Sequence, residues 1–70
     1  MRISYDRDTD SAYVSLRDEE AGGPAERQSF HQPNTMGLIV LDFDERHRLV
    51  GLEILEAKKN LPPDVLDRAD

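Results

Sequence analysis

Leu38-Ile39-Val40-Leu41-Asp42-Phe43, then Asp44-Glu45-Arg46-His47, then Leu49-Val50-Gly51-Leu52-Glu53-Ile54-Leu55 read as two apolar runs about a short polar turn. Each run has the length of a strand, and the turn carries the side chains that bond their own backbone. In the first run Leu38 and Val40 point one way, and Ile39, Leu41 and Phe43 the other. A strand apolar on both faces fits cover on both sides, from a helix or from a partner chain. In the second run Val50, Leu52 and Ile54 share one face, while Leu49, Gly51, Glu53 and Leu55 share the other. An antiparallel hairpin over 37–43 and 48–55 follows.

Upstream, the same period of two recurs. Ile3 and Tyr5 alternate with Ser4, and Ala12, Val14 and Leu16 alternate with Tyr13 and Ser15. Asp6-Arg7-Asp8-Thr9-Asp10 lies between them, so a first hairpin spans 2–6 and 11–16. Arg17 to Pro24 reads as a loop because Gly22-Gly23-Pro24 holds regular structure poorly. Ala25 to Gln32 is polar apart from Phe30, which suits an edge strand over 25–31 that stops at Pro33-Asn34.

Beyond Glu56 the period changes. Ala57 to Leu61 suits one helical turn that Pro62-Pro63 must end. Asp64 to Ala69 can start a short helix, with Val65 and Leu66 docking and a frayed end. The expected fold is α+β, a small antiparallel β-sheet of two hairpins, four or five strands in all, with a short C-terminal helix. Residues 1–61 form the single hairpin-rich domain, and 62–70 a tail or helix.

The chain has 70 residues, no cysteine and a net charge of −6. A domain this small holds a core worth roughly 3–5 kcal/mol. Disulfides and thiolate metal sites are excluded, which leaves oligomerisation as reinforcement. The acidic balance argues against nucleic acid and against anionic membranes, and favours a basic protein partner if there is one. Gly37 to Leu41 is the longest apolar run, far below the ~20 residues of a membrane span. With no signal-type segment after Met1, the expected location is cytoplasmic.

Few constellations carry chemistry. Asp6, Asp8 and Asp10 have the spacing that opens a calcium loop, but Ser11 stands where such a loop needs glycine and Arg17 where it needs a bidentate glutamate. His31 and His47 lie on different elements and read as surface histidines. Glu53, a carboxylate amid apolar residues, requires a partner such as Arg27 or Arg48, or else a ligand. Tyr5 and Tyr13 suit half-core positions with hydroxyls that reach a partner. No nucleophile–base pair or phosphate-cradling loop is evident, so neither enzymatic activity, nor a cofactor, nor a metal is expected.

Tyr5 to Leu16, followed by Gly37 to Asp44 and Leu49 to Leu55, resembles the two motifs of the small bacterial YuzE-like proteins, a family of unknown function. The likeness runs from Met1 to about Leu61. Arg7 replaces a proline common in the first turn of such proteins, and His47 a glycine common in the second. The resemblance implies a small β-rich domain with a C-terminal helix, and it implies a positive φ at His47. It implies no activity and no catalytic residue.

Two functions remain. One is a non-enzymatic module that self-associates, as a homodimer or larger even-numbered assembly, or that binds another protein. Its contacts would include Leu38, Val40 or Phe43, or Val50 and Leu52 beside them. The other is a small-molecule or metal-binding protein that uses Tyr5, Asp10, Tyr13 and Glu53, which requires one pocket lined by those four.

Overall fold

The computed structural model describes residues 1–17, 23–31 and 37–70. Five strands, β1 (Arg2–Asp6), β2 (Ser11–Ser15), β3 (Glu26–His31), β4 (Leu38–Phe43) and β5 (Leu49–Leu55), precede two short helices, α1 (Ala57–Asn60) and α2 (Pro63–Asp67). The strands form one antiparallel sheet in the order β1-β2-β5-β4-β3. Both expected hairpins form, and β3 is the expected edge strand. Most of the loop expected over 17–24, and the stop at Pro33-Asn34, lie outside the described residues.

Register sorts the side chains into two faces, because directly opposed residues point the same way. Ile3 stands opposite Val14, Val14 opposite Leu52, and Leu52 opposite Leu41. Tyr5, Ala12, Ile54, Ile39 and Phe30 form the next row of that apolar face. The opposite face carries Ser4, Tyr13, Glu53, Val40 and Ser29, with Gly51, Asp42 and Arg27 beside them. Phe43 stands opposite Leu49 although Asp42 stands opposite Gly51. Val50 is thus an extra residue, and the β-bulge it makes bends β5 near the turn.

The tail forms the helical turn and the short helix that the sequence suggests, as α1 and α2. Glu56 takes a left-handed φ of 51° and swings the chain off β5 into α1. Leu61 is extended, as a residue before proline must be, so α1 ends there. Pro63 does not merely stop a helix; it opens α2 at a first-turn position, where its missing N–H costs nothing. Nor does the end fray. The Asp70 N–H donates to the Ile3 carbonyl at 2.8 Å, and Arg2 Nε meets the Asp70 carboxylate at 2.8 Å. Leu66 and Ala69 share a cleft with Tyr5, so the tail lies over one corner of the apolar face.

That cover is partial. Ala12, Val40, Val50, Ile54 and Ala57 are the buried apolar residues among those described. Val14, Ile39, Leu41, Phe43 and Leu52 stay half-buried, and Phe30 is 49% exposed.

Candidate functional site

The centre of the polar face is a carboxylate. Asp42 is only 2% exposed, in the middle of a strand whose other residues are apolar but for it. A charge removed from water in this way needs hydrogen bonds on both oxygens. Tyr13 Oη donates to one at 2.9 Å, and Arg27 Nε to the other at 2.7 Å. Arg27 also reaches Glu53 at 2.9 Å, so a single guanidinium bridges two carboxylates across three strands. This is the partner that Glu53 required.

Backbone makes the reach of Tyr13 feasible. Gly51 is its diagonal neighbour on β5, and a β-carbon there would collide with the Tyr13 hydroxyl and ring. The glycine is a slot for the tyrosine. Burial, and then the bond to Asp42, raise the Tyr13 pKa. The Asp42 bond raises that of Arg27 as well, so both donors hold their protons through the physiological range. The cluster opens onto a cleft of about 350 Å³ that also includes Ser15 and Arg17. Apart from Gly23 and Pro24 its walls are charged or hydroxylated, unlike the apolar linings that bury most organic ligands.

A second polar pair lies by the tail. Tyr5 Oη donates to Asp10 Oδ1 at 2.8 Å, and this bond raises the Tyr5 pKa. Asp10 takes a left-handed φ of 53°, and its side chain and carbonyl accept the Lys58 and Ala57 N–H groups. It therefore fastens the first turn to the start of α1. The spacing of Asp6, Asp8 and Asp10 makes a turn: Asp6 accepts the Asp8 N–H at 2.9 Å. Among the described residues no three His, Cys, Asp or Glu side chains converge as metal ligands would.

The four residues singled out by sequence thus separate into pairs on opposite faces. Tyr13 and Glu53 are cross-strand neighbours, and Tyr5 and Asp10 meet on the other side. The clefts beside Tyr5 include Arg7, Leu66 and Asp67, and the cleft beside Tyr13 includes Arg27 and Asp42. None of these clefts holds all four residues. Asp42 was missed, although a lone carboxylate in an apolar run is the same signal that marked Glu53.

Among the described residues no helix is long and apolar enough to cross a membrane. Neither a curated protein nor a solved structure matches the chain. The model of a family described as "Protein of unknown function (DUF2283)" matches residues 2–58, which include all five strands and their polar cluster, and the chain belongs to that family.

Proposed function

We propose that this protein is a non-enzymatic module that associates with a second copy of itself through its half-covered apolar face. The observation that carries the reading is the thinness of the tail's cover: two helices of four and five residues lie over a five-stranded sheet. The accessible surface is 5370 Å², whereas a compact monomer of 8.0 kDa exposes about 4,500 Å². The excess of about 900 Å² is a property of the whole chain, its exposed β3 included, and the half-buried apolar face is one part of it. Val40 and Val50, expected among the contacts, are already buried within the chain; Leu41, Leu52 and Phe43 are the better candidates.

The buried Asp42 cluster supports a structural role on this reading. Its donors are committed to carboxylates, and it holds the exposed β3 on the sheet. The finer likeness to YuzE-like proteins rests on the two hairpin motifs and adds no activity. Methyl-labelled protein with a soluble paramagnetic probe tests the proposal. Methyl groups of Val14, Leu41 and Leu52 are expected to be shielded at high concentration and exposed on dilution. The same exposure of these methyl groups at every concentration would overturn it.

A further inference from the structure

The two edges of the sheet are treated differently. On β1 the chain covers its own outer edge: Asp70 N–H donates to Ile3, and the Tyr5 N–H reaches the Asp70 carbonyl at 3.4 Å. On β3, among the described residues, nothing pairs with the outer edge. An open row of N–H and C=O groups is a template for another strand, and proteins guard against it with charged side chains, proline or a bulge. Within Glu26-Arg27-Gln28-Ser29-Phe30-His31 there is neither proline nor bulge, the charges Glu26 and Arg27 stand at one end, Gln28 to Phe30 carry none, and the register with β4 is unbroken over all six residues. The strand is also held firm, because Arg27 is bonded to both Asp42 and Glu53.

We infer that β3 pairs antiparallel with β3 of a second copy, joining two five-stranded sheets into one of ten strands. This rests on the self-association proposed above and adds a second contact, at the edge, to a different copy from the one that covers the face. Charge does not oppose a like partner. Each chain carries −6, yet Glu26 and Arg27 are the charged residues of β3, and neither two-fold register given below sets one of them against its own copy. Phe30, 49% exposed at the rim of the apolar face, gains cross-strand cover from the partner. The half-covered faces of the two copies then lie side by side across the seam.

Symmetry sharpens the inference. A two-fold axis normal to a continuous sheet keeps like faces together, so opposed residues must have the same parity in sequence. One residue of β3 therefore faces its own copy. With six residues, that residue is Gln28 or Ser29. If it is Ser29, Phe30 lies across from Gln28 of the partner subunit; if it is Gln28, Phe30 lies across from Glu26 of the partner subunit.

The absence of cysteine makes the test clean. Cα atoms of directly opposed residues stand about 4.5–5.5 Å apart, inside the range a disulfide spans. Gln28→Cys and Ser29→Cys are oxidised mildly at micromolar concentration, with Arg46→Cys in the β4–β5 turn as control. One of the two β3 variants is expected to form disulfide-linked dimer on the order of a hundred-fold faster than the control. Cross-linking of both at the control rate overturns edge pairing. If light scattering then still gives a multiple of 8.0 kDa, the face contact stands alone. If the mass is 8.0 kDa, the self-association reading fails with it.

Discussion

Gly51 and Tyr13 show how one missing β-carbon organises a face. Gly51→Ala should displace the Tyr13 ring and strain the sheet, at about 1–3 kcal/mol. Against a core of roughly 3–5 kcal/mol, urea unfolding should find the variant close to unfolded. Tyr13→Phe keeps the ring but leaves one oxygen of buried Asp42 without its donor, and should cost about 1–3 kcal/mol in the same assay. The raised Tyr13 pKa has a sign. Its stabilising share is present below the unfolded value near 10 and is lost as pH rises through the folded value, so the alkaline limb should flatten in Tyr13→Phe. His47 has the expected left-handed φ, at 64°. Its imidazole is 85% exposed and stands 4.0 Å from Glu26, too loose to matter much. His47→Gly should leave stability unchanged or raise it by about 0.5 kcal/mol, while a clear loss on thermal unfolding would assign the ring an essential contact. Glu53 with Arg27 was legible because a charge on an apolar strand demands a partner. Asp42 was not, because its run was read for its apolar members.

The β4–β5 turn is organised by Asp44, whose carboxylate accepts the Arg46 and Arg48 N–H groups and Arg48 Nε, all within 2.9 Å. These bonds, the Arg48 N–H first, hold its pKa below the usual carboxylate range. A depressed folded value contributes stability above the unfolded pKa near 3.9, lost as pH falls from there through the folded value. Asp44→Asn should therefore be less stable than wild type at pH 7, with the difference shrinking in acid titrations followed by circular dichroism. Equal stability at pH 7 would show the turn is indifferent to the charge. The strands were legible within about a residue because a period of two survives partial exposure. The tail was less so. Pro62-Pro63 reads as a stop, yet Pro63 also starts α2, and the backbone pairing of Asp70 with β1 leaves no mark in side-chain pattern.

For the whole molecule the ruling fact is an imbalance between sheet and cover. The sheet presents two rows of apolar side chains, and the tail lies over the corner near Tyr5, Ala12 and Ala57. With no cysteine and no metal-ligand cluster among the described residues, a second chain is the economical source of further burial, at about 25 cal/mol per Å² of apolar area. Leu41→Lys places a charge in the middle of the open face, where it should weaken association at least ten-fold if the copy covers it, roughly 1.4 kcal/mol. Because Leu41 is half-buried in the single chain, its circular dichroism must match wild type for the comparison to hold. The direct measurement is sedimentation equilibrium of wild type and Leu41→Lys over a wide micromolar range. Self-association gives a wild-type mass of two or four times 8.0 kDa that Leu41→Lys shifts towards one chain. A wild-type mass of 8.0 kDa at every concentration would contradict it.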